Sequence, residues 1–234
     1  GAGEGPFFMT KELALDQLLG DGGAVDGHEP GVAPRALAMQ RPGFEADQFQ
    51  VVLRDLRSGK SRVLTEGWDR SPASIAFSRD GQSLLVNAQD VGHKTLWQIG
   101  LDGDDPVKLV TRGTVSAFDD AGDQIVYKMN DLASPDELYV FDPETGESRR
   151  ITDFASRTLA GVTMGEFEQF SFEGADGDTV YGFVVKPSNF ERGREYPVAF
   201  LIHGGPQGSF SNNFHYRWNP QVYAGQGFAA GMID

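Results

Sequence analysis

The 234-residue sequence contains no cysteine, which excludes disulfides and thiolate metal sites. No apolar run approaches the roughly 18 residues that a membrane-spanning helix needs. Basic residues are scarce, with 20 Lys and Arg against 34 Asp and Glu and a formal net charge of −14. A chain this acidic repels phosphate-rich surfaces, which argues against nucleic acid or an anionic membrane as partner. Walker-type glycine loops, dinucleotide-binding fingerprints and zinc-ligand spacings do not occur. Nor does a G-x-S-x-G nucleophile elbow. The opening Gly1-Ala2-Gly3-Glu4 has neither an initiator Met nor a signal-peptide pattern. Both ends read as cut, so compartment is not legible.

What is present is a core-forming composition, 39% hydrophobic and 11% aromatic, with 30 glycines and 12 prolines. Its length suits one large domain or two smaller ones, and many turn residues suit short strands. Between residues 48 and 152 the strand-turn pattern repeats. Ile75-Ala76-Phe77-Ser78-Arg79-Asp80-Gly81-Gln82-Ser83-Leu84-Leu85-Val86 is echoed from Val115 to Tyr127, around Gly122. Leu56-Arg57-Ser58-Gly59-Lys60 returns as Asp142-Pro143-Glu144-Thr145-Gly146, with a looser copy at Leu101-Asp102-Gly103. A period of about 40 residues with several strands per unit is the pattern of β-propeller blades. The spacing predicts about two full blades and parts of others, an incomplete propeller over residues 1–160. A small β-sandwich with coincidental turn similarity is the alternative. Upstream, Thr10 caps an expected helix over residues 11–19, followed by a loop.

From residue 161 onward the pattern changes to that of an α/β-hydrolase opening, truncated before any elbow. Residues 168–173 and 180–186 read as a hairpin joined by Gly174-Ala175-Asp176-Gly177-Asp178. The continuous apolar run at residues 197–202 predicts a strand buried on both faces. Asn219 with Pro220 marks a helix start, and Gly227 lies past its end. Residues 228–233 read as the next buried strand. Hairpin, strand, glycine loop, helix, strand is the expected order.

The loop is His203-Gly204-Gly205-Pro206-Gln207-Gly208. The backbone N–H groups of Gly204 and Gly205 are candidates for an oxyanion hole, which needs donors about 2.7–3.1 Å from a developing O⁻. A tight turn without catalytic role is the alternative. His203 and His215 precede any elbow, so neither fits the general base of the order Ser, Asp, His. His203 is expected to support the loop by hydrogen bonding. Ser209 and Ser211 lack a nucleophile's strand-turn-helix context, and His28 and His93 read as solvated loop residues. Asp102-Gly103-Asp104-Asp105 falls short of calcium-loop spacing and reads as a solvated turn.

These motifs resemble the prolyl oligopeptidase family of serine peptidases, in the branch of type-V dipeptidyl and acylaminoacyl peptidases. The similarity rests on His203-Gly204-Gly205-Pro206-Gln207-Gly208-Ser209, Tyr216-Arg217-Trp218-Asn219-Pro220-Gln221 and residues 225–234. Arg41-Pro42-Gly43-Phe44-Glu45-Ala46-Asp47 and Trp68-Asp69-Arg70-Ser71 agree with it. The resemblance implies dipeptide release from peptide N-termini through an acyl-enzyme, without metal or organic cofactor. Acylaminoacyl peptidase or oligopeptidase activity is the alternative, and a propeller-type binding module with an inert hydrolase-like part is the non-enzyme one. The resemblance also favours a periplasmic or secreted protein, leaves a homodimer open and places Ser, Asp and His beyond Asp234. The chain alone would then be inactive. It is also expected to be marginally stable, because unfinished sheets expose edges. A free N-terminal ammonium calls for carboxylates, for which Glu45, Asp47, Glu166 and Glu168 are candidates, with surface acids as the alternative. Arg217 would hold a substrate carbonyl or carboxylate, or pair with a structural acid, and Trp218 would pack in the core or wall the pocket.

Overall fold

The structure, a computed structural model, describes residues 32–38, 46–55, 58, 60–205 and 208–233. The helix expected over residues 11–19 lies outside them. The described chain is mostly sheet and divides into two compact units.

The first unit takes in the described residues up to Ala88, with Leu96–Leu109 and Asp120–Asp123. Its strands β1 (Val32–Ala38), β2 (Gln50–Asp55) and β3 (Ser61–Val63) pair antiparallel in that order. Strands β4 (Pro72–Phe77), β5 (Ser83–Asp90), β6 (His93–Gly100) and β7 (Val107–Val110) follow as a four-stranded meander. The β4–β5 turn is the first copy of the repeat. Gly81 has φ of +69°, which glycine adopts without penalty, and Ser78 N–H donates to Ser83 O at 2.9 Å. The second copy turns at Gly122, φ +98°. The two turns are tied together where Arg79 N–H donates to Asp120 Oδ2 at 2.8 Å. Leu84, Val86 and Ala88 alternate along β5 and enter a core with Val51, Leu53, Trp97 and Ile99.

The second unit comprises Gln89–Thr95, Val110–Asp119 and Gln124 onward. A further meander is built from β8 (Thr114–Asp120), β9 (Ile125–Asp131), β10 (Ser134–Asp142) and β11 (Glu147–Arg150). At its last turn Asp142 Oδ1 accepts the Glu144 N–H at 2.8 Å, and Gly146 takes φ of +71°. The short helix α1 (Phe154–Thr158) has no counterpart among the elements expected from sequence. Its own Asp153 makes no capping bond. Glu137 of β10 does that work instead, accepting from Ala155 N–H and Thr152 Oγ1–H.

Glu137 is buried. Desolvation opposes its ionisation, yet bonds from Ala155, Thr152 and Phe154 outweigh this and hold the carboxyl below the ordinary Glu value. A depressed folded-state value means that its stabilisation is present at neutral pH and lost as pH falls below about 4.5. Glu137→Gln should therefore lower stability at pH 7 by about 1.5–3 kcal/mol. It should also flatten the loss between pH 7 and pH 3. Urea titrations at the two pH values measure both, and parallel curves for variant and parent would refute this role.

The last sheet contains β12 (Phe167–Glu173), β13 (Thr179–Val185), β14 (Val198–Leu201) and β15 (Ala229–Ile233), in the order β12-β13-β15-β14. The expected hairpin forms β12 and β13, with Phe167 opposite Val185 and Glu173 opposite Thr179. β15 pairs antiparallel with β13 and parallel with β14. The β14–β15 connection carries α2 (Pro220–Gly225). Asn219 caps α2 as its sequence predicts, its side chain accepting the Gln221 N–H at 3.0 Å. Leu132, Phe183, Val185, Ala224, Ala230 and Met232 form the core.

One expectation is corrected here. The run at residues 197–202 is not buried on both faces: Val198 is 67% exposed, Phe200 50% and Ile202 79%. β14 is the outermost strand of its sheet, and only Leu201 packs against the core cluster. An apolar run reports burial only when layers exist to cover both faces.

Candidate functional site: a glycine turn at the end of β14

In α/β sheets the C-terminal ends of strands are where ligands bind. The chain leaves β14 at Leu201 and enters the glycine turn at once. Gly204 and Gly205 are exposed, and neither N–H has an acceptor among the described residues. Gly205 has φ of +144°, a conformation that side-chain-bearing residues rarely adopt. Pro206 and Gln207 lie outside the described residues.

His203 turns back on the loop. Its Nδ1–H donates to the Gly204 carbonyl at 2.8 Å, and its ring meets Phe210 edge-on at 5.8 Å. Because the peptide unit is planar and trans, holding the Gly204 C=O aims the Gly205 N–H the opposite way, off the ring. A preorganised donor of this kind can stabilise developing negative charge on a substrate oxygen.

Downstream, the chain forms a local turn around His215, whose Nδ1 accepts from Arg217 N–H at 3.2 Å and Trp218 N–H at 3.0 Å. The Arg217 guanidinium lies 5.5 Å over the Trp218 ring. Trp218 is half exposed and Tyr216 is 83% exposed, so the turn presents a cation and two aromatic rings to solvent. Core packing is thus not the place of Trp218.

The structure brings two candidate acids together. Lys186 Nζ lies 3.1 Å from Glu168 Oε2 and 3.7 Å from Glu166 Oε2. Both carboxylates already flank an ammonium, and both are largely exposed. Asp47 is half-buried in the first unit, and Glu45 lies outside the described residues. No group of three or more His, Cys, Asp or Glu could hold a metal ion among the described residues. No described helix is long and apolar enough to cross a membrane.

His93 is a second correction. It is not a solvated loop residue but opens β6, half-buried. Its Nδ1 accepts the Gly113 N–H at 3.1 Å, and its ring packs edge-on against Phe183 at 5.5 Å. Sequence reasoning also misses Asn212, which is buried. An asparagine among Ser, Asn and Phe carries no motif, so nothing in its neighbourhood announces it.

No protein-family model matches the chain. Over 201 residues it is 33% identical to a dipeptidyl-peptidase 5 of Arthroderma otae, spanning 82% of this chain and 27% of that protein. A dipeptidyl-peptidase 5 of Schizosaccharomyces pombe is 29% identical over 202 residues, 85% of this chain and 29% of its own length. Among solved structures, an acylaminoacyl peptidase in complex with Z-Gly-Gly-Phe-chloromethyl ketone superposes with a TM-score of 0.70 at 22% identity. That match covers 85% of this chain and 30% of the other. The Pyrococcus horikoshii acylaminoacyl peptidase gives 0.68 at 24% identity, with the same coverage.

The fold over most of the described chain is thus one found in the prolyl oligopeptidase family of serine peptidases. In sequence the chain is homologous to the dipeptidyl-peptidase 5 proteins. It spans somewhat under a third of the length of the relatives it matches.

Proposed function

We propose that this chain is part of a serine exopeptidase that releases dipeptides from the N-termini of oligopeptides through an acyl-enzyme. The observation that carries the reading is the exposed Gly204–Gly205 turn at the end of β14, with His203 gripping the Gly204 carbonyl. Kinship to proteins named dipeptidyl-peptidase 5 supports it. In this reading residues 161–234 open an α/β-hydrolase domain, and the meanders within residues 1–160 are blades of an incomplete propeller. The substrate carbonyl accepts from Gly205 N–H, joined by Gly204 N–H, as the serine adds and charge collects on the oxygen. No G-x-S-x-G occurs in this sequence, so the serine of this reading is not among its residues.

Arg217 and Trp218 border the turn in sequence and offer a cation and a ring to a peptide. Lys186 already engages Glu166 and Glu168, so those acids would bind a substrate ammonium only by giving up that partner.

The test uses the full-length protein. A fluorophosphonate should label it, and peptides with a free N-terminus should be cleaved two residues in. Cleavage of N-acylated peptides alone would replace this reading by acylaminoacyl peptidase activity. Absence of both labelling and cleavage would leave the binding-module reading. Labelling of the 234-residue chain by itself would show the serine assignment to be wrong.

A further inference from the structure

The glycine turn is exposed, but the segment that follows it is not. Ser211 and Asn212 are 3% and 4% exposed. Within the second unit this segment is bonded to two separate chain reversals and to residues of β5, β8 and β9. Asn212 Oδ1 accepts the Leu132 N–H at 2.9 Å, in the β9–β10 turn. The Asn212 N–H donates to the Gly92 carbonyl at 2.7 Å, in the β5–β6 turn. The Asn212 carbonyl accepts from Thr114 Oγ1 at 2.9 Å, at the start of β8. On either side, Ser211 Oγ donates to Gln89 Oε1 at 3.0 Å, and Phe214 N–H donates to Asn130 Oδ1 at 2.9 Å.

Three of Asn212's hydrogen-bonding groups therefore engage three different elements. Ser211 sits at φ of +55°, a conformation that a non-glycine residue holds only when its surroundings impose it. Ser209 Oγ accepts the Ser211 N–H at 2.9 Å. This ties the anchored part directly to the residue after Gly208. Phe210 in turn backs the His203 ring. The route from Asn212 to the Gly204 carbonyl is contiguous: Ser211, Phe210, His203, Gly204.

We infer that Asn212 is a positioning residue of the glycine turn, fixing its downstream root so that the Gly205 N–H keeps one direction. A loop with three glycines has little stiffness of its own. Its order must come from its roots, and β14 supplies only the upstream one. The inference deepens the proposed function, since it names what holds the donor of that site.

The test is Asn212→Ala in the full-length protein, read by amide hydrogen exchange and by steady-state kinetics. Exchange in the peptide covering residues 203–211 should quicken about 10-fold or more, while β12 and β13 keep their protection. The kcat should fall about 10- to 100-fold with KM within about threefold, because a misaimed donor is lost mainly in the transition state. Asn212→Ala removes the side-chain bond to Leu132 and leaves the backbone bonds to Gly92 and Thr114, whereas Thr114→Val removes the Thr114 bond at constant shape. Thr114→Val should accelerate the same exchange about 3- to 10-fold, and it keeps the idea testable if the first variant does not fold. Unchanged exchange at residues 203–211 would overturn the inference, as would acceleration spread evenly through the second unit or kcat equal to the parent's. If the parent itself cleaves no peptide, the proposed function fails, while the exchange arm still decides the role of Asn212.

Discussion

Gly165→Ala should unfold the second unit, or weaken it by about 4 kcal/mol or more, the range reached when a buried clash has no cheap escape. A Cβ at this position would lie 2.0 Å from the Lys186 carbonyl oxygen and 3.2 Å from the carbonyl carbon. Both atoms are backbone, held by the Lys186 N–H bond to the Glu166 carbonyl at 2.8 Å. The glycine cannot slide away either. Gln221 Oε1 accepts its N–H at 2.7 Å, and Gln221 Nε2 donates to its carbonyl at 2.9 Å. The same Nε2 donates to the Leu132 carbonyl at 3.3 Å, so one displaced backbone disturbs three bonds. Gly146→Ala is the matched control. That glycine has φ of +71° but no atom within 4 Å of where an alanine methyl would sit, so only conformational strain applies, about 1 kcal/mol. Urea unfolding of both variants makes the comparison. Equal midpoints would mean that lack of space is not what requires a glycine at position 165.

The second large effect is on chemistry. Gly205→Ala in the full-length protein should lower kcat by about 10²- to 10³-fold, the usual cost of losing one oxyanion donor. Alanine keeps the N–H but resists φ of +144°, so the peptide unit rotates and the donor leaves its line. KM should change little, because the oxygen carries full charge only in the transition state. Circular dichroism should match the parent's, since the turn is exposed. A kcat within about threefold of the parent's would remove Gly205 from the site.

The parts of this protein that are legible in its sequence share a short reach along the chain. The hairpin around Gly81 needs a residue free to adopt positive φ between two apolar runs, and the sequence supplies both. The start of α2 is an Asn-Pro pair whose capping bond spans two residues. The glycine turn follows its strand directly, and its motif is visible without knowledge of the fold. Here local chemistry and final structure coincide because each partner lies within a few positions of the other.

What the sequence conceals is long-range. α1 is capped from Glu137, 18 residues away, and no pattern around Phe154 could name that carboxylate. His93 reads like a loop residue because its partners, Gly113 and Phe183, stand 20 and 90 positions on. Glu166 and Glu168 read as free acids, and only the fold sets Lys186 beside them. At β14 the reverse holds: the apolar run matches a strand with two buried faces, yet that strand lies at a sheet edge.

By itself, then, the sequence determined the turns, the α2 cap, the order of the last sheet's elements and the glycine turn with its two donors. Those depend on φ preferences and on neighbours a few residues apart. Only the tertiary structure decided which way the donors face and what anchors them. His203 sets the first by gripping the Gly204 carbonyl. Asn212 serves the second through Gly92, Thr114 and Leu132, partners 80 to 120 positions away whose meeting depends on the packed sheets.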